Sequence, residues 1–145
     1  MRSMDDAAYR LRLAEGFFVE AREDLGLQRW RSCADNSQLT VENSAKAVLA
    51  LLGPVGRTHD PGPLLRRAIA SNRFANAFRS PVERLATVAE ILGWDVHIST
   101  DYGDDVGRRT PWELFNEAAA GQALNPAEEA LVLARELFGA HGSHP

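Results

Sequence analysis

Between Tyr9 and Leu25 an apolar or aromatic residue recurs at every fourth position: Tyr9, Leu13, Phe17, Ala21 and Leu25. Ala14 and Phe18 widen that stripe, and Arg12, Glu15, Glu20, Arg22 and Glu23 fall on the opposite side. A spacing of four gives one apolar face to a helix, whereas a strand would need alternation in twos. No segment of comparable length alternates that way, so the chain is constrained to bury helix faces against one another. The first helix is expected over about 5–27.

The second expected helix, about 30–52, is built differently. Ala34, Ser37, Val41, Ser44, Ala45, Val48, Leu51 and Leu52 leave little room for a polar face. Small side chains allow other backbones to come close, which marks this as the central helix. Glu42 stands four residues before Lys46, the favourable order for a helical ion pair, and Gly53-Pro54 ends the segment. Three later stretches, Ser80-Pro81-Val82-Glu83, Thr110-Pro111-Trp112-Glu113 and Asn125-Pro126-Ala127-Glu128, share one device. Each offers a capping side chain, a proline at the first helical position and an acid at the third. Helices are therefore expected to begin at Pro81, Pro111 and Pro126, with ends at Gly93 for the first and Gly139 for the last. Asp60-Pro61 opens a shorter helix ending near Ser71. The stretch 94–109 reads as irregular, with Val96, His97 and Ile98 as a strand-like hint. The expected architecture is all-α: a single domain over 5–139 forming an antiparallel up-and-down bundle of four to five helices, with 140–145 as a disordered tail.

A chain of 145 residues, 45% of them apolar, can bury a core without covalent staples. Cys33 is the only cysteine, which excludes an internal disulfide and a thiolate cluster; it is read as a small buried residue. The net charge of -4 argues against a dedicated nucleic-acid binder. The N-terminal residues show no apolar signal region, and no apolar run approaches the ~20 residues of a membrane span. A cytoplasmic protein without membrane association is expected.

The stretch LTVENSAKAVLALLG followed by THDPGPLL resembles the HEPN family, in which an E-x-x-x-K-A helix leads to a T-H-D-x-x-x-L-L element. Glu42, Lys46 and Ala47, then Thr58, His59, Asp60, Leu64 and Leu65, carry the match. The segment from Thr100 through Phe138, with its Tyr102-Gly103-Asp104 loop, is similar to the end of the same domain. The resemblance implies a helical bundle that dimerises. It also implies one of two roles: a metal-independent RNase with an Arg-x(4–6)-His motif, or a non-catalytic partner of a minimal nucleotidyltransferase that binds a nucleotide.

Metal-free RNA cleavage needs a group that titrates near neutrality and a cation for the developing phosphate charge. Only Arg135 and His141 have the family spacing. Glu136 follows the arginine where relatives carry a small polar residue, and His141 lies beyond the expected helix end. His59 is read as a turn histidine capping the Asp60-Pro61 helix start, or, with Arg57, as a phosphate contact. His97 is read as a satisfied structural histidine, and His144 lies in the tail. Tyr102 is a candidate ligand contact, although Asp101 stands where relatives carry an arginine before it. Arg108 and Arg109, just ahead of the Pro111 helix, suggest an anion site. Trp94, Trp112 and Phe115 fit either core or a partner face. Arg66, Arg67, Arg73, Arg79 and Arg84 form the densest basic cluster and the one feature favouring RNA. No histidine–acid spacing suggests a metal, and no cofactor is expected. The expected function is a non-catalytic homodimer that binds a nucleotidyltransferase partner, a nucleotide, or both, as in a toxin–antitoxin-like pair. An RNase using Arg135 and His141 is the alternative, and a purely structural helical dimer the third reading.

Overall fold

A computed structural model describes residues 2–142, and among them the ordered elements are all helical. They are α1 (Arg2–Gly26), α2 (Trp30–Ala50), α3 (Gly62–Ala70), α4 (Asn76–Ile91), α5 (Trp94–Tyr102), α6 (Pro111–Leu114) and α7 (Glu117–Gly142). The long helices α1, α2, α4 and α7 make the bundle; the short ones close one side of it.

The small-residue stretch is the centre, as its composition predicts. α2 touches every other helix, packing against α1 and α7 most extensively and also against α3, α4, α5 and α6. Val41, Ala45 and Val48 of α2 meet Leu65, Val82, Leu85, Val88 and Leu131 in one continuous core. So closely is α2 surrounded that its polar residues are buried too. Thr40 and Asn43 answer this by bonding the carbonyls one turn back, at Asn36 and Leu39. α1 turns into α2 through Gln28, and Asn72 follows the end of α3, both with positive φ. In each case a backbone N–H just past the turn returns to a carbonyl of the last helical turn, Arg29 to Asp24 and Arg73 to Ala68.

Several expected boundaries are corrected. Neither Pro81 nor Pro126 begins a helix: both lie inside one, in α4 and α7. A proline deprives the carbonyl four residues earlier of its N–H. Here those residues, Ala77 and Gln122, are exposed, so water can serve the freed groups. Burial meanwhile runs unbroken through the second site, with Ala120, Ala123, Ala127, Ala130 and Ala134 all inside. Tertiary packing thus carries the helix across a signal that would otherwise start one. The capping device is realised only at Thr110, where Thr110 and Glu113 form a complete capping box on the four-residue α6. α7 also passes Gly139 and reaches Gly142, so His141 is helical. His144 and residues 143–145 of the expected tail lie outside the described residues. The strand-like hint at Val96–Ile98 is helical: α5 begins after Gly93 and packs on α2, with Thr100 fully buried.

Candidate functional site

The two sequence motifs separated by the α2–α3 loop meet in space. Glu42, on the third turn from the end of α2, is nearly enclosed, its side chain 4% exposed. Its Oε2 accepts a hydrogen bond from Lys46 Nζ at 3.2 Å, so the only lysine of the chain sits one turn further along with its charge answered. The other oxygen, Oε1, accepts no hydrogen bond but lies 3.6 Å from His59 Nδ1. That separation is too long for a hydrogen bond and suits an ion pair once the imidazole is protonated. His59 itself is 63% exposed. The expected capping role is not the one it takes. α3 has Pro61 at its N-cap with no side-chain bond, and Thr58 Oγ1 accepts the Asp60 N–H instead.

On its other side His59 joins a stack of rings. Its imidazole lies 5.7 Å from that of His97, nearly parallel at 6°, and 5.7 Å from the Trp94 indole. Trp94 and His97 are 5.2 Å apart, three residues along α5. His97 is less satisfied than expected: Nε2 lies 3.8 Å from Asp101 Oδ2, and its buried Nδ1 has no hydrogen-bond partner. Behind the stack, Thr100 Oγ1 lies between the His97 carbonyl at 2.7 Å and Asp35 Oδ1 at 3.2 Å, while Arg31 donates to the Thr100 carbonyl at 3.0 Å. Burial first, then the nearby Asp101 carboxylate, holds Asp35 above the usual carboxylate range, against the lowering effect of the Thr100 hydrogen bond and Arg31.

Next to His59 a cleft of about 260 Å³ opens between α1, α2 and the loop before α3. Arg10, Lys46, Arg57, Thr58 and His59 line it. Arg10 is paired with Asp6 at 3.2 Å, and among the described residues Arg57 has no ion-pair partner. Such a cleft brings three cationic side chains and a hydroxyl to one volume, and Arg57 is the cation not already held by a carboxylate, Lys46 being bonded by Glu42. It is suited to an anion of the phosphate kind. Arg10 carries no signal of its own in the sequence, because nothing in its helix distinguishes it from other surface arginines; only the α1–α2 packing places it here.

The remaining candidates lie elsewhere. Tyr102, 74% exposed, follows the ring stack at the end of α5, with Gly103 at a φ of 73°. A Cβ at Gly103 would collide with the Arg109 carbonyl oxygen, so the turn requires glycine. Asp104 and Arg109 pair their backbones at 2.8 and 2.9 Å to close the loop. Arg108 lies in that loop with a φ of 55°, and Arg109 donates to the Glu113 carbonyl at 3.0 Å. The N–H groups at the start of α6 are served by its own capping box, with Glu113 bonding both Thr110 N and Thr110 Oγ1. Arg108 and Arg109 are therefore not drawn together around a free helix terminus. Trp112 lies under the Arg31 guanidinium at 5.6 Å, and Phe115 packs against the core. Arg135 pairs with Glu15 at 3.4 Å across α1 and α7. His141 stands six positions further on the same helix, about 240° round its axis and about 9 Å along it. One chain thus does not bring the two side chains to a common point. In the basic cluster Arg66 is held by Glu90, Arg79 by Glu83 and Arg84 by Glu129, so much of its charge is neutralised.

Residues 7–138 match the family model of the HEPN domain. The crystal structure of TT1696 from Thermus thermophilus is similar to this chain with a TM-score of 0.69 and 20% sequence identity, over 94% of this chain and 99% of that one. At that identity the likeness shows the fold alone. No curated protein matches the chain.

Proposed function

This chain belongs to the HEPN domain family, and we propose that within it the protein is a binding module for a nucleotide and a protein partner rather than a nuclease. The observation that carries this reading is the cleft at His59. Arg10, Lys46 and Arg57 converge there beside a histidine, and Arg57, unlike the Asp6-paired Arg10 and the Glu42-paired Lys46, has no ion-pair partner among the described residues. Phosphate oxygens are the acceptors such a donor set fits best. The exposed rings of Tyr102 and Trp112, with Val106 between them in sequence, favour a protein partner on the α5–α6 side, since aromatic side chains anchor interfaces. A minimal nucleotidyltransferase is the partner proposed, with the module acting as a homodimer in a toxin–antitoxin-like pair.

Thermal melting with and without mononucleotides tests the ligand. Mononucleotides at millimolar concentration should raise the melting temperature. Arg57→Ala should abolish the rise, whereas Arg79→Ala, whose guanidinium is already paired with Glu83, should leave it intact. No shift with any mononucleotide would sink the reading. A tagged pull-down from native cells tests the partner, and light scattering on the purified protein tests the dimer. RNA cleavage in EDTA that disappears in His141→Ala would instead restore the nuclease alternative with Arg135 and His141.

A further inference from the structure

A second cleft, of about 300 Å³, is lined by Trp94, whose ring meets His59 of the first cleft. The indole stacks with His59 at 5.7 Å and also lines this neighbouring space, together with Pro63, Ile91 and the carboxylates Asp60, Glu90 and Asp95. Glu90 is engaged by Arg66 at 2.6 Å, which leaves Asp60 and Asp95 as the acceptors on offer. The His59–Trp94 contact thus links a cleft lined by cations to one lined by an indole and carboxylates.

Resting on the nucleotide reading above, we infer that the second cleft takes the base of that nucleotide and favours guanine. The charge distribution sets the orientation. A phosphate would be repelled from Asp60 and Asp95 and attracted above all by Arg57, the cleft cation with no acid partner among the described residues, so the base is directed toward the acidic end. Trp94, 41% exposed, presents an indole on which a base can stack regardless of sequence. Selectivity then comes from the edge. A carboxylate only accepts hydrogen bonds, and guanine presents two adjacent donors, N1–H and the exocyclic amino group, to one carboxylate. Adenine and cytosine present one amino group each. Uracil faces the carboxylates mainly with carbonyl oxygens and is disfavoured.

Isothermal titration of the full chain with 5′-GMP, 5′-UMP and inorganic phosphate tests this. GMP should bind tighter than UMP by roughly tenfold, the discrimination expected of one good bidentate contact, and phosphate should bind more weakly than either. Asp95→Asn, an exposed position whose replacement spares the core, should erase the gap between GMP and UMP. Trp94→Ala should bring both nucleotides down to the level of phosphate; if that variant does not fold, the Asp95→Asn comparison decides. A 5′-phosphorylated GUU trinucleotide separates sources: tighter binding than GMP assigns an RNA end, equal or weaker binding a free nucleotide. Equal affinity for GMP and UMP, still lost in Arg57→Ala, would overturn the base cleft and leave the phosphate site standing. Failure of all three ligands to bind would remove the nucleotide reading and this inference together.

Discussion

Glu42 and Lys46 are both nearly enclosed, and a buried ion pair costs most when only one partner is removed. Glu42→Ala should therefore lower stability by about 3–5 kcal/mol in urea unfolding, because it strands the Lys46 ammonium. Replacing both, as Glu42→Leu with Lys46→Met, should recover most of that loss. A double variant as unstable as the single one would show that the pair itself, and not the orphaned charge, carries the stability. Asp35 makes a pH-dependent counterpart. Its carboxyl is held above the usual range, so the folded chain binds that proton more tightly than the unfolded chain does. Its contribution is fully favourable below the unfolded pKa of about 3.9 and is lost as pH rises through the folded value. Asp35→Asn keeps an acceptor for Thr100 and should raise the melting temperature at pH 7, with the advantage fading as the pH falls through the carboxylate range. A gain that persists unchanged at pH 3 would contradict this account. The Glu42–Lys46 contact is legible in the sequence, since four positions on a helix are neighbours. The His59–Glu42 and His59–Trp94 contacts are not, because each crosses a loop or joins separate helices.

The prolines show how helices override local signals. Cap, proline and acid at 80–83 and 125–128 look like helix starts, yet both sites lie within longer helices whose buried faces are continuous. Pro126 still forfeits the hydrogen bond to the Gln122 carbonyl. Pro126→Ala should stabilise the protein by roughly 1–3 kcal/mol, less than the full ~3 kcal/mol cost of an interior proline because the unfolded chain gains freedom. Thermal or urea unfolding reads the change. A destabilised variant would mean that the proline ring contributes packing that alanine cannot replace. The corresponding device at Thr110 behaves as its residues suggest: the capping box forms there and opens the four-residue α6.

Taken as one body, the molecule is organised around α2, which contacts all the other helices. Each cluster of buried apolar residues includes a residue of α2, so loss of α2 packing should dissolve the whole. Urea transitions followed by far-ultraviolet circular dichroism and by tryptophan fluorescence should coincide. Trp30, Trp94 and Trp112 lie at the start of α2, on α5 and on α6, so an independently melting α5–α6 region would show as a separate fluorescence transition. The helical class and the central place of α2 are readable from residue order, because period-four apolar spacing and small-residue content act through neighbours along one helix; the family is legible only as a resemblance carried by the Glu42/Lys46/Ala47 and Thr58/His59/Asp60 motifs. Helix limits at Pro81, Pro126 and Gly139 are not, since local propensities of a few kcal/mol yield to burial shared between helices. The candidate site is legible only in part: Arg57 and His59 stand out in the sequence, and Arg10 and Trp94 do not. Arg10, Lys46, Arg57, His59 and Trp94 come from α1, α2, the loop before α3 and α5, and their convergence depends on how those elements pack, which no spacing along the chain encodes.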